Sequence, residues 1–384
     1  MFKKRLMTPG PTEVPPTVLA EGAKPIPHHR TPRFRKVLTE VSEGLRDVFR
    51  TKHDVLIFPA AGTGGMESAV VNLCSPGDKI LVASCGNFGD RWANIAEAYG
   101  IACEREDAAW GEAVDPARIG ERLQADPDIK AVYTTLSETS TGVENDIRAI
   151  GEVVAKTPAV LVVDAISGLG ATPLEMDAWH VDVTIAGAQK GFMIPPGLAM
   201  VAVSDKAWQR VETSRAPKFY FSWTKARKSL KAEALANTPY TPNVSLILQL
   251  AESIRLIKEE GLEAVWARHA RMARAVREAM GAIGVTLFSR SRPSNAVTAM
   301  CVPENVDGVK LVKTVRDTYG ITLAGGQGKV KGKIFRIGHL GYADDWDVLS
   351  AVAAVERALR GQGFALEVGR GVTAAEKVLF ADDA

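Results

Sequence analysis

Residues 159–190 read AVLVVDAISGLGATPLEMDAWHVDVTIAGAQK, and their pattern decides the fold class. Two short apolar runs, 159–164 and 182–188, flank a stretch of glycine, proline and polar residues. A strand with one wet face alternates apolar and polar residues. These runs are apolar at successive positions, which marks strands buried on both faces, as in a parallel sheet covered by helices. Four similar runs stand at 54–60 (DVLIFPA), 79–84 (KILVAS), 130–135 (KAVYTT) and 199–204 (AMVAVS), with helical patterns between them. The expectation is an α/β chain with a mainly parallel, doubly wound sheet.

The pattern changes outward from this sheet. Residues 1–32 are Pro-rich and predict an extended arm, followed by a helix over 34–50 with apolar residues at 34, 37, 38, 41, 45, 48 and 49. Beyond about residue 210 come two long amphipathic helices, 245–261 and 262–284, each ending in glycine. A shorter α+β stretch follows, with strands at 298–304 and 333–340 and helices at 308–320 and 345–363. We therefore expect an arm (1–20), a large domain (21–265) and a smaller C-terminal α+β domain (266–384).

Composition excludes several function classes. The chain has 384 residues, 46% hydrophobic, and a formal net charge of +2, so nothing points to nucleic acid or an anionic membrane. Lys329, Lys331 and Lys333 alternate with small or apolar residues and predict a solvated strand edge. The four cysteines lack C-x-x-C spacing, and Cys85 and Cys103 sit beside apolar runs as small hydrophobes, which suits a reducing cytoplasm. No Cys/His spacing predicts a metal site. No apolar run approaches 18 residues, and prolines interrupt the basic N-terminus, so the expected location is cytoplasmic.

In a doubly wound sheet, ligands bind beyond the carboxyl ends of the strands. One strand ends on Asp164 and another runs into Lys190. Either residue alone is ordinarily a cap or a solvated charge. Together they suit a pyridinium cofactor, the acid holding the ring nitrogen's proton and the amine condensing with its aldehyde. Ala61-Gly62-Thr63-Gly64-Gly65 opens a helix and offers backbone N–H groups to a phosphate. That loop lacks the Lys of a Walker site and the spacing of a dinucleotide fingerprint. Gly86-Asn87-Phe88-Gly89-Asp90-Arg91 presents an aromatic that either stacks on a planar ring or folds onto the core. Ser137–Gly142 is a hydroxyl cluster, with Ser140 and Thr141 also candidates to cap the next helix.

Taken in order, T-P-G-P (8–11), A-G-T-G-G-M-E (61–67), G-N-F-G-D-R (86–91), E-T-S-T-G (138–142), V-V-D-A-I-S-G-L-G (162–170), G-A-Q-K (187–190) and R-I-G-H-L-G (336–341) resemble the class V aminotransferases, most of all their serine–pyruvate/alanine–glyoxylate branch. The resemblance covers nearly the whole chain and implies aminotransferase fold type I, pyridoxal 5'-phosphate and a homodimer with composite active sites. It makes Lys190 the Schiff-base lysine and Asp164 the partner of the pyridine nitrogen. Phe88 becomes the ring-stacking aromatic and Thr139 a hydroxyl at the ring. Ala61, Gly62, Thr63 and Gln189 become phosphate contacts, although many relatives carry serine where this chain has Ala61. Tyr240 and Thr241 fall in the segment that reaches the neighbouring subunit's phosphate. Arg336 matches the arginine that takes the substrate α-carboxylate, and Gly10 a position lining the substrate site. His29 and Arg30 lie in a segment similar to the active-site entrance, near Arg33.

The implied activity is ping-pong transamination from serine or alanine to glyoxylate or pyruvate. An acidic or phosphorylated donor, such as aspartate or phosphoserine, is the near alternative. A desulfurase, a nicotinamide dehydrogenase and a non-catalytic subunit of a larger complex are the rivals.

Overall fold

The computed structural model describes residues 3–232 and 234–381. Seven strands form the central sheet: β1 (Asp54–Phe58), β2 (Lys79–Ser84), β3 (Ala102–Asp107), β4 (Ile129–Thr135), β5 (Val160–Asp164), β6 (Val183–Gly187) and β7 (Ala199–Val203). Their spatial order is β1-β7-β6-β5-β4-β2-β3. All neighbours are parallel except β7, which runs antiparallel to both β1 and β6.

The continuous apolar runs have their physical counterpart in two-sided burial. Along β5, Leu161 and Val163 enter one core while Val160 and Val162 enter another, all fully buried. The first core also takes Leu38, Leu45 and Phe49 of the Pro32–Phe49 helix and Leu250 and Ile254 of the Val244–Glu260 helix. The second takes Met66 and Val70 of the Gly62–Leu73 helix, Trp92 of the Asn87–Ala98 helix and Trp223 of the Trp223–Lys231 helix.

A smaller antiparallel sheet of β8 (Val297–Cys301), β9 (Ala324–Gly325) and β10 (Ile334–Gly338), in the order β8-β10-β9, has its own core. The Leu262–Ala282 helix serves two cores, with Leu262 and Val265 in the first and Met272 through Met280 in the small-sheet core. The N-terminal segment does the same. Arg5–Leu6 pairs in parallel with Ile321–Thr322, Met7 enters the small-sheet core, and Val18 enters the first.

Four features depart from the sequence reading. The arm contains a helix, Pro16–Gly22, whose Val18 is fully buried; proline at the first helical position needs no N–H partner there. Strand β3 (ACERED) has no apolar run because it is a sheet edge with mostly half-exposed positions. Residues 328–330 form a 3-10 turn rather than a strand edge. Helices Asp205–Thr213 and Arg370–Leu379 are too polar or too short to stand out.

Two-sided burial sets a stability contrast. Leu161→Ala empties a fully buried position in β5 and should cost about 2–5 kcal/mol. Val309→Ala, at a site 59% exposed, should stay within about 0.5 kcal/mol. Paired urea titrations check this; equal shifts would contradict the layer assignment.

Candidate active site

The site begins where β5 and β6 end. The two strands are parallel neighbours, with Asp164 opposite Ile185, so Asp164 and the Lys190 turn emerge on one rim. Asp164 is 4% exposed, and one of its oxygens accepts the Ile166 N–H at 2.8 Å. Burial pushes its carboxyl up to about 7; the Ile166 bond and the cations Arg91 and Lys190 oppose this, while Glu138 adds to it. Burial pushes the Lys190 amine down to about 8 against the pull of Asp164, and Arg336 and Arg91 lower it further.

The N-terminal segment closes over this pair. Lys190 donates through Nζ to the Pro9 carbonyl. Thr12 donates its N–H to the Gln189 carbonyl at 3.1 Å and its hydroxyl to the Lys190 carbonyl at 3.2 Å. Gly10 has φ +118°, and a Cβ there would lie 2.4 Å from Lys190 Cδ. Both the left-handed backbone and the lysine's proximity require glycine.

Beside the pair, the Gly62–Leu73 helix starts after a three-residue link from β1, and its N-cap, Ala61, makes no side-chain capping bond. Its first-turn N–H groups and positive dipole end form an anion cradle. A Cβ on Gly62 would lie 2.5 Å from Ile166 Cδ1, which presses the helix start onto the loop after Asp164. The Gln189 Oε1 is buried without a hydrogen-bond partner, and a Cβ on Gly187 would meet it at 3.4 Å and Gly62 Cα at 3.9 Å. Turned end for end, this amide presents an N–H beside the cradle. An orphaned amide next to an uncapped helix start fits a bound phosphate.

Phe88 lies in the first turn of the Asn87–Ala98 helix, not in a free loop. Arg91, one turn on, places its guanidinium 4.9 Å from the Phe88 ring centre and donates to Thr63 Oγ1 at 2.9 Å. Ser140 and Thr141 do not cap the following helix; Asp146 does. Thr139 meets Arg336 through its carbonyl, which accepts Nη1 at 2.5 Å. The Gly325 carbonyl accepts Nε and Nη2 of Arg336 at 3.0 and 2.7 Å. These bonds use three of the five N–H groups of a guanidinium and leave two for a ligand. Burial pushes Arg336, 3% exposed, down to about 10, still a cation at neutral pH.

Tyr240 and Thr241 lie beside the carboxyl end of β1, at Phe58 and Pro59. Tyr240 stacks on Phe219 and Tyr220, and both residues line a small hollow with Pro59. Arg30, exposed, donates to Asn237 Oδ1 at 2.7 Å and to the Thr238 carbonyl at 3.1 Å, so these two segments are tied together. His29 is half-buried and Arg33 exposed.

Glu138 and Arg91 carry no role that follows from the sequence, although both lie in the quoted motifs. The three-residue spacing of Phe88 and Arg91 on one helix was the available signal. Nothing in the sequence marked His269, whose ring is fully buried and accepts the Gly341 N–H at 2.9 Å.

The depressed Lys190 amine gives a direct prediction. In the apoprotein, trace acetylation of Lys190 should reach half its limiting rate near pH 8. A lysine in an unstructured model peptide should do so near about pH 10.4. Coincident curves would show that Lys190 is solvated.

Residues 6–337 match the family described as aminotransferase class-V. The chain is 42% identical to the soluble hydrogenase 42 kDa subunit of Anabaena cylindrica, covering 98% of each chain. It is 41% identical to the L-aspartate–glyoxylate aminotransferase of Paracoccus denitrificans, covering 97% of this chain and 95% of the other. Identity to the serine–glyoxylate aminotransferase of Methylorubrum extorquens is 36%, over 98% and 96%. The crystal structure of pyridoxamine–pyruvate aminotransferase from Mesorhizobium loti superposes with a TM-score of 0.95 at 30% identity, over 100% of this chain and 98% of the other. Membership in this family implies pyridoxal phosphate, which the lysine, the buried carboxylate and the cradle fit. The chain belongs to the class V aminotransferases, in their serine–pyruvate/alanine–glyoxylate branch, with fold type I of that family.

Proposed function

We propose that this transaminase moves an amino group from serine or alanine to glyoxylate or pyruvate by a ping-pong route, with Lys190 carrying pyridoxal 5'-phosphate covalently. The observation that carries this reading is the buried Asp164–Lys190 pair on neighbouring strand ends, with Arg336 facing Lys190 electrostatically. The bound cofactor supplies an electron sink that acidifies the Cα–H of an attached amino acid.

The chain's own residues do the rest. Asp164 holds the proton on the ring nitrogen. Its carboxyl, near 7 in the protein alone, falls when a pyridinium cation lies beside it, so the carboxylate is ionised in use. Lys190, with its amine near 8, is poised to take the Cα proton as a neutral base and return it as an acid. Its contact with the Pro9 carbonyl gives the free amine a resting place. Ala61, Gly62 and Thr63 hold the phosphate with Gln189. Phe88 covers the ring and Thr139 approaches it. Gly10 lets the N-terminal segment approach the substrate side of Lys190. The two remaining N–H groups of Arg336 take the α-carboxylate in a fork and orient Cα.

Tyr240 and Thr241 serve the phosphate of a second subunit, so the active form is a homodimer with composite sites. The Arg30 contact carries the entrance loop with them. We place the division between the two units near residue 265, in the helix that feeds both cores, and the enzyme in the cytoplasm.

A desulfurase is disfavoured by the thiols. Burial pushes Cys74 up to about 11 and Cys85 higher still, and Cys103 also rises. An acidic donor is the second reading. It is favoured by Arg91, a further cation acting on Lys190, and by the likeness to the aspartate–glyoxylate enzyme. Arg30 and Arg33 leave room for a phosphorylated donor.

Two experiments test these roles. Borohydride reduction of the holoenzyme should fix the cofactor to the peptide containing Lys190, and Lys190→Ala should fold but lack the visible absorbance; label on another lysine refutes the assignment. Arg336→Ala should lower kcat/KM for amino acids by about 30- to 5,000-fold, the equivalent of roughly 2–5 kcal/mol, and amines lacking a carboxylate should be poor substrates of the wild type. In a donor panel, serine and alanine should outrun aspartate, glutamate and phosphoserine with glyoxylate. The reverse ranking transfers the assignment to an acidic donor.

A further inference from the structure

Glu138 is fully buried, yet none of the steps above uses it. Its carboxylate accepts the N–H groups of Phe88 at 3.1 Å and Gly89 at 2.8 Å. It also accepts the Ser140 N–H at 3.1 Å and the Ser140 hydroxyl at 2.6 Å. The first two donors belong to the opening turn of the Asn87–Ala98 helix, whose N-cap, Gly86, has no side chain to cap it. Burial pushes the Glu138 carboxyl up, and these hydrogen bonds and its place at the positive end of that helix oppose the rise by favouring the carboxylate. Ser140 Oγ in turn accepts the Asn87 N–H at 2.9 Å. A Cβ on Gly86 would lie 2.5 Å from both Glu138 Cγ and Ser140 Oγ, so the helix start is pressed directly onto the carboxylate.

The other flank of Glu138 leads to the substrate side. Its neighbour Thr139 supplies the carbonyl that holds Arg336 Nη1, and the Glu138 charge stabilises the buried guanidinium. One carboxylate thus has the Phe88 turn on one side and the Arg336 contact on the other. Only an acceptor-only group satisfies this position. An amide turned either way would aim its NH2 at groups that are themselves donors.

We propose that Glu138 is a positioning residue for transamination: it locks the Phe88 turn and the Thr139–Arg336 contact into one unit, setting the cofactor ring and the α-carboxylate fork together. This rests on the roles given above to Phe88 and Arg336. The group acts through its neighbours and touches neither substrate nor cofactor.

The test compares wild-type holoenzyme with Glu138→Gln and, as a milder variant, Ser140→Ala, which leaves the carboxylate its three backbone donors. Three quantities are read: visible circular dichroism of the bound cofactor, the dissociation constant of pyridoxal phosphate, and KM and kcat for the amino donor. For Glu138→Gln we expect a clear loss of visible ellipticity. The dissociation constant and the donor KM should each rise about tenfold or more, the scale of losing bonds to a charged acceptor. Ser140→Ala should move the same readouts in the same direction by less. A cap that only stabilises the helix would lower the unfolding temperature and leave ellipticity, cofactor affinity and KM unchanged; that result overturns the proposal. If Glu138→Gln does not fold, unchanged ellipticity and KM in Ser140→Ala overturn it equally. A wild-type protein that binds no pyridoxal phosphate removes the underlying reading, and this is visible before any variant is made.

Discussion

The whole site depends on two parallel strands ending side by side. Because β5 and β6 are hydrogen-bonded neighbours, a carboxylate and an amine leave the sheet at one rim and are buried together. Burial drives them in opposite directions, the acid toward 7 and the amine toward 8. Neither shift arises in water, where the dielectric would leave each group near its ordinary value. The apolar layers on both faces of the sheet are therefore also the cause of the chemistry, since they exclude the water that would solvate the pair.

The second dependence is on joints between the two cores. Arg336 comes from the small sheet but reaches the Thr139 carbonyl in the segment that follows β4, and the N-terminal segment pairs with Ile321–Thr322 before passing over Lys190. Small displacements of one core relative to the other would change the carboxylate fork first. The Gly338 N–H to Met7 carbonyl bond, at 2.8 Å, and the contact of His269 with Gly341 strengthen the same joint. His269 is held near 3 by burial, so it stays neutral and can accept that bond.

The polarity of the sheet also explains where the chemistry is absent. An open hollow of about 450 Å³ lies at the amino ends of the parallel strands, lined by Lys52, His53, Asp177, His180, Asp182 and Lys206. Its main carboxylates are already satisfied, Asp177 by Thr51 and the Lys52 N–H, Asp182 by Ser204 and the Leu161 N–H. The carboxyl rim differs in having groups left unsatisfied by the protein: the Gln189 amide oxygen and an uncapped helix start.

The sequence by itself determined the doubly wound sheet, the ends of β5 and β6 and the residues standing there, because continuous apolar runs and strand-end polar residues are local features. It also marked the Gly-rich helix start at Ala61–Gly65. It missed β3, an edge strand whose half-exposed residues carry no apolar run, and it treated Phe88 as loop when the residue begins a helix. Tertiary structure alone decided what Glu138 does and that Arg91 reaches Thr63, since these partners lie on separate crossovers. It alone turned Arg336 from an odd charge in an apolar strand into a fork with two free N–H groups. Burial and orientation arise only when distant segments pack, so no reading along the chain could supply them.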